Sequence, residues 1–164
     1  MKLQRLFIMM VLVGAMWVAG GSGPVLQLNW LNGNSTVGRT SALVAEVAGV
    51  NDLDAYSLEI TYDTSALSVV DAALDAPLLN ITNPLRNNAQ SLLPVIKKEP
   101  GKVTIAATLT GTAPDDSAGS TSGVVGVVVF KILSDPSNAV ALQNARLLDS
   151  NGSDIANVTI MPSP

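Results

Sequence analysis

Along Ala55–Tyr62, which reads AYSLEITY, apolar and polar positions alternate one for one. Tyr56, Leu58, Ile60 and Tyr62 fall on one face; Ala55, Ser57, Glu59 and Thr61 fall on the other. KVTIAATL, Lys102–Leu109, repeats the rule, with Val103, Ile105, Ala107 and Leu109 opposing Lys102, Thr104, Ala106 and Thr108. Successive side chains leave a pleated backbone on opposite sides, so a period of two marks a strand with one buried and one open face. Further strands are expected over Pro24–Trp30, Thr40–Val50, Ala66–Asp71, Leu92–Lys97, Gly123–Leu133, Ala139–Leu148 and Asp154–Ile160.

Turn residues punctuate these segments. NGNSTVGR precedes the second strand, NDLD the third, EPGK the sixth and SNGSD the last. Gly, Asn, Asp, Ser and Pro recur there because they tolerate turn dihedrals or hydrogen-bond their own backbone. Nine short strands with no helical pattern between them predict an all-β sandwich or barrel. Residues 73–94 are too long for a hairpin turn, and Pro77, Pro84 and Pro94 oppose a continuous helix. That segment reads as a partly apolar loop lying on the sandwich, and residues 111–123, GTAPDDSAGSTSG, read as a flexible loop.

One strand breaks the simple pattern. In VVGVVVFKI, Lys131 must face out, which sends Val124, Gly126, Val128, Phe130 and Ile132 inward. Val125, Val127 and Val129 are then expected to face outward together. Three such valines would span roughly 13 Å. They would be covered by another segment of the chain or would form an apolar contact face between subunits.

The N-terminal segment has a different character. Lys2 and Arg5 precede LFIMMVLVGAMWVAGG, a short apolar run ending in small residues, as in a secretory signal peptide. Ala19 and Gly21 suit the cleavage positions, so residues 1–21 are assigned as the signal and 24–164 as one domain. Retention as an anchor is the alternative, although the run is shorter than the roughly 20 residues a spanning helix needs. The expected location is therefore secreted, extracellular or at the cell surface. Export permits disulfides, but the 164 residues include no cysteine, so the domain must rely on its core. Asn34, Asn80, Asn151 and Asn157 begin Asn-x-Ser/Thr sequons.

A net charge of −4 argues against a phosphate-binding surface, which needs clustered cations, so no nucleic-acid partner is expected. The absence of histidine and cysteine removes the commonest general base, the thiol nucleophile and the usual zinc ligands. Lys97, Lys98, Lys102 and Lys131 sit in no Ser-x-x-Lys arrangement, so no catalytic residue is assigned and no enzyme activity is expected. DSNGSD, Asp149–Asp154, offers oxygen ligands but lacks the calcium-loop pattern, and its Asn-Gly favours a hairpin turn. No metal or cofactor is assigned. Trp30, Tyr56, Tyr62 and Phe130 all fall on inward phases, which leaves few rings for a sugar-stacking platform.

Four segments in order resemble the cohesin family. DAYSLEITYDTSALSVVDA is similar to its aromatic-rich strand, Tyr-Asp turn and following strand. GKVTIAATLTG resembles its central strand, SGVVGVVVFKI its Gly-hydrophobic strand ending in Phe-Lys, and ALQNARLLDSNGSDIANVTI its closing hairpin. The resemblance implies a nine-stranded jelly-roll β-sandwich, related in fold to some carbohydrate-binding modules. It also implies that the third, fifth, sixth and eighth strands form the sheet that receives a dockerin partner, in an extracellular polysaccharide-degrading or cell-surface assembly. On this chain the docking positions are then Ser57, Glu59, Thr104, Ala106 and Thr108, with Glu59 and Lys102 setting charge complementarity at the rim. Such a surface offers little bulk, so the partner is expected to supply most of the apolar anchor. Two other readings stay open: a self-assembling subunit of a surface layer or filament, and a module that binds polysaccharide.

Overall fold

A computed structural model describes residues 23–31, 36–77, 81, 83–87, 91–110 and 120–161. The strands are β1 (Val25–Trp30), β2 (Thr40–Asn51), β3 (Ala55–Tyr62), β4 (Leu67–Ala73), β5 (Ser91–Glu99), β6 (Lys102–Thr110), β7 (Ser120–Ile132), β8 (Val140–Leu148) and β9 (Thr159–Ile160). A 3-10 turn covers Pro84–Asn87. Two sheets face one another: five strands in the order β4-β7-β2-β1-β9, and four in the order β5-β6-β3-β8. All neighbours pair antiparallel except β1 and β9. The expected all-β sandwich is what forms, and the four strands that the family resemblance groups together do share a sheet.

Inward alternation in β3 and β6 sets one wall of the core. Tyr56, Leu58, Ile60, Val103, Ile105, Ala107 and Leu109 are buried, and Leu26, Leu28, Leu43, Ala45, Val47, Val128, Phe130 and Ile132 meet them from the other sheet. Phe130 takes Trp30 and Tyr62 edge-on, with ring centroids 5.9 and 5.2 Å away. Tyr62 comes from the four-stranded sheet and the other two rings from the five-stranded one, so this cluster ties the layers together at one end. Gly126 leaves space for the facing sheet, since a Cβ there would lie 2.9 Å from Ile105 Cδ1.

The expectation for β7 is corrected. Its pairing with β2 slips between Ala45 and Glu46, which oppose Gly126 and Val124 and leave Val125 as the extra residue of a bulge. A bulge places two residues against one and re-aims the side chain. Val125 therefore turns into the core and is fully buried. Val127 keeps the outer phase, in register with Val44 and Ala73, yet it is buried as well, and Val129 is half-buried. The three valines do not form an open apolar face.

Several boundaries also move. β7 begins at Ser120 rather than Gly123, so only residues 111–119 of the expected loop remain, outside the described residues. The last expected strand shrinks to Thr159–Ile160, with Asp154 joined to Leu148 by a single bridge. Of the expected loop over residues 73–94, the described part packs on the sandwich, where Leu74 and Leu85 enter the core and Ala76 bridges Ile81, while residues 91–94 belong to β5 instead. Buried Asn83 fixes this segment, with Nδ2 donating to Tyr56 Oη at 2.6 Å and Oδ1 accepting from the Leu85 amide at 3.0 Å. The expected signal segment, residues 1–21, and the sequons at Asn34 and Asn80 lie outside the described residues; Asn151 and Asn157 sit on exposed turns. Among the described residues, no helix is long and apolar enough to cross a membrane.

Candidate functional site

Strands β5, β6, β3 and β8 pair so that their outward side chains line up in four rows. The first is Leu93, Thr108, Ala55 and Leu148; the second is Val95, Ala106, Ser57 and Arg146. Lys97, Thr104, Glu59 and Asn144 make the third, and Glu99, Lys102, Thr61 and Ala141 the fourth. All five expected docking positions fall in the two middle strands of this grid. Ser57 stands directly opposite Ala106 and Glu59 opposite Thr104, while Thr108 lies beside Ala55.

The two ends of the grid differ in chemistry. At one end Leu93 is 54% exposed and Val95 60%, two large apolar side chains in adjacent rows of one face. With Ala106 and Leu148 they border a shallow depression of about 180 Å³ whose far side is closed by Arg146. Small residues at Ala55, Ser57 and Ala106 create the hollow, because the neighbours on either side are larger. At the other end, Lys97 meets Glu99 at 3.1 Å, and Lys102 stands 3.6 Å from both Glu99 and Glu59. Asn144 Nδ2 donates to Glu59 Oε1 at 3.3 Å, so a polar chain crosses all four strands. Hydrogen bonding and charge from Lys97, with help from Lys102, hold the Glu99 carboxyl below its ordinary range. At the end of the second row, Arg146 grips Asp154 beyond the grid in a two-pronged pair, Nε to Oδ1 at 2.9 Å and Nη2 to Oδ2 at 3.1 Å. That contact lowers the Asp154 carboxyl and raises the Arg146 guanidinium.

Leu93, Val95, Arg146 and Leu148 were not singled out from the sequence. SLLPVIKK shows no polarity alternation, so its phase is hidden, and Pro94 argues against a central strand. Pro94 is tolerated because β5 is an edge strand, where a missing N–H need not break a ladder. The EPGK turn held the missing signal. It fixes Glu99 opposite Lys102, and counting back along the hairpin puts Val95 opposite Ala106 and Leu93 opposite Thr108.

The acidic turn at Asp149–Asp154 is directed at its own backbone. Asp149 Oδ1 accepts from the amides of Asn151 at 2.9 Å and Ser153 at 2.8 Å, and Gly152 N donates to Asp149 O. Gly152 adopts φ 74° at the end of a turn over Asp149–Gly152, which a single Leu148–Asp154 bridge closes. Asn151 stays out of the left-handed region, so the two-residue Asn-Gly hairpin is not formed, and β9 pairs with β1 rather than with β8. Among the described residues, no group of three or more acidic side chains is placed to hold a metal ion.

A family model described as the cohesin domain matches residues 32–162. No curated protein matches the chain. Solved structures do. A type II cohesin–X–dockerin complex from Acetivibrio cellulolyticus has a chain that is 16% identical, with a TM-score of 0.65, over 86% of this chain and 96% of that one. A type II cohesin domain from the cellulosome of the same organism is 15% identical, with a TM-score of 0.66, over 85% and 92%. A non-cellulosomal cohesin from the archaeon Archaeoglobus fulgidus is also 15% identical, with a TM-score of 0.57, over 86% and 88%.

Proposed function

Because the chain belongs to the cohesin family, we propose that it is an extracellular, non-catalytic attachment module that docks a dockerin-type protein on the outer face of β5-β6-β3-β8. The observation that carries this reading is the exposed Leu93 and Val95 on a flat sheet face whose charged groups already pair with one another. Exposed apolar surface rimmed by polar residues is what a protein partner can desolvate with gain. The face carries no nucleophile–base pair for chemistry to work with. Ser57, Glu59, Thr104, Ala106 and Thr108 lie in the middle of the face, and Leu93 and Val95 supply apolar bulk beside them. The Acetivibrio cellulolyticus neighbour was solved as a cohesin–dockerin complex, which supports the same class of partner. A polysaccharide platform is less well supported, because Trp30, Tyr56, Tyr62 and Phe130 are committed to the core or packed against it. Assembly through Val125, Val127 and Val129 loses its surface with the burial of the first two.

Titration calorimetry against a panel of dockerin modules tests the proposal. At least one module is expected to bind with a Kd of about 1 μM or tighter, equivalent to roughly −8 kcal/mol. Combining Val95→Asp with Ala106→Arg should weaken that binding at least about a hundredfold while the circular dichroism of the sheet is retained. A panel that gives no heat, or binding indifferent to the double substitution, overturns the reading.

A further inference from the structure

The outer face of β5-β6-β3-β8 is balanced in charge, and a residue that does not belong to it completes the balance. Its rows carry three cations, Lys97, Lys102 and Arg146, against two carboxylates, Glu59 and Glu99. Lys98 takes the opposite phase and reaches Asp71 of the other sheet at 3.5 Å. Lys97 and Lys102 are engaged by Glu99 and Glu59. The third cation, Arg146, is matched by Asp154, which lies in the connection between β8 and β9.

Exposed ion pairs usually hold a side chain weakly, but here the carboxylate arrives on a fixed support. Asp154 bridges Leu148, Ile155 N donates to Leu147 O at 2.8 Å, and Asp149 N donates to Ser153 O at 2.9 Å. The backbone on both sides of Asp154 is thus tied to the end of β8. Two parallel bonds then give the pair direction as well as charge. Arg146 separates two hollows: the depression of about 180 Å³ beside Val95 and Ala106, and a groove of about 340 Å³ at the side edge of the sandwich. Asp154 borders only the second, so the pair draws the guanidinium toward the edge. Without Asp154 the side chain has another place to lie. Ser57 stands opposite Arg146 and Ala106 opposite Ser57, and at a strand spacing of about 4.8 Å an extended arginine reaches over these two small residues.

We propose that Asp154 is a positioning residue for docking: it takes the Arg146 guanidinium to the side edge, which keeps the depression open and leaves the face without an unmatched charge. This rests on the docking reading of the face and adds to it a residue that the partner need not touch. Once the guanidinium is released over Ser57 and Ala106, a partner covering the depression has to strip water from a cation. The face offers that cation no carboxylate, since Glu59 and Glu99 are already engaged. Such a penalty lowers affinity without removing any contact residue.

The test combines NMR of the free chain with calorimetry against the tightest-binding module of the dockerin panel. In the free chain the Arg146 δ-protons are expected to show cross-relaxation to Asp154 and none to the Ala106 methyl group. Asp154→Ala should bring the Ala106 contact in while the thermal midpoint hardly moves. In calorimetry Asp154→Ala should weaken binding by about tenfold, and Asp154→Glu should hold it within about threefold of the parent chain. Adding Arg146→Met to Asp154→Ala should recover most of the loss, because the released cation does the harm. A carboxylate that merely supported its turn would leave the double variant as weak as the single one. An Ala106 contact already present in the parent chain, binding indifferent to Asp154→Ala, or a loss that Arg146→Met does not relieve each overturns the inference. A panel with no binder removes the docking reading and this role with it, whereas a binder indifferent to Asp154→Ala removes this inference alone.

Discussion

The outer faces of the two sheets obey the same pleat and look quite different. On β3 and β6 every second residue is open to water, polarity alternates cleanly, and the orientation of each side chain follows from its position in the sequence. On β7 the run from Val124 to Val129 is apolar on both phases, and Val125, Val127 and Val128 are all buried. A strand wet on one side writes its orientation into its polarity. A strand buried on both sides does not, because valine serves either face equally well. There a single inserted residue decides the phase of everything beyond it, and the bulge at Val125 is such an insertion.

The contrast can be broken by substitution. Phe130→Ala removes the ring on which Trp30 and Tyr62 converge from opposite sheets, and it should cost about 3–5 kcal/mol. Chemical denaturation measures it, and a loss below about 1 kcal/mol would mean that the aromatic cluster does not join the layers. Gly126→Ala sharpens the same comparison. Its new Cβ would press on fully buried Ile105, so a cost of about 1–3 kcal/mol is expected. Ile105→Val in the same chain should recover part of it, since touching residues couple. On the other sheet Val95→Ser should change stability by no more than about 0.5 kcal/mol, because the side chain is already 60% exposed. Similar losses at Phe130 and Val95 would erase the difference between the two regions.

The same contrast explains what was legible in the sequence. An all-β sandwich or barrel and the inward sets of β3 and β6 could be read because one face of those strands is polar, whereas the choice of a sandwich and the grouping of strands into its sheet came from the family resemblance. Ser57, Glu59, Thr104, Ala106 and Thr108 could be placed on a shared face by that periodicity, and by a family resemblance that joined the two strands in one sheet. Leu93 and Val95 could not be phased from SLLPVIKK, whose inward neighbours Pro94 and Ile96 are apolar too. They become visible only through the register of a hairpin. Asn83 was illegible for another reason. Its partner Tyr56 lies 27 residues away, and nothing local to Asn83 announces a buried amide. The bulge at Val125 likewise depends on how β2 and β7 pair, and neither strand alone records it.

The smallest expected effect concerns acid. Glu99 is lowered chiefly by its hydrogen bond and charge contact with Lys97, and Asp154 by Arg146. Asp63 is lowered by Ser65, mainly through its hydroxyl, and Asp135 by Ser137, mainly through its amide. Every one of these folded-state values lies under its unfolded one, so the unfolded chain binds more protons in mild acid. Their contribution is complete above the ordinary carboxylate range of about 4 and fades as pH falls through the lower folded values. The denaturation midpoint should therefore stay level near neutrality and decline below about pH 4. All four groups are exposed, which keeps the decline shallow. In molar salt, where the screening length is about 3 Å, the share from Glu99 and Asp154 should shrink while the hydrogen-bonded turns at Asp63 and Asp135 keep theirs. Lys97→Met should remove the Glu99 share at low salt and leave the turns untouched. A midpoint that rises on acidification would reverse the sign, and the ion-pair chain on the four-stranded sheet would then be a burden that the fold tolerates to keep that face charged.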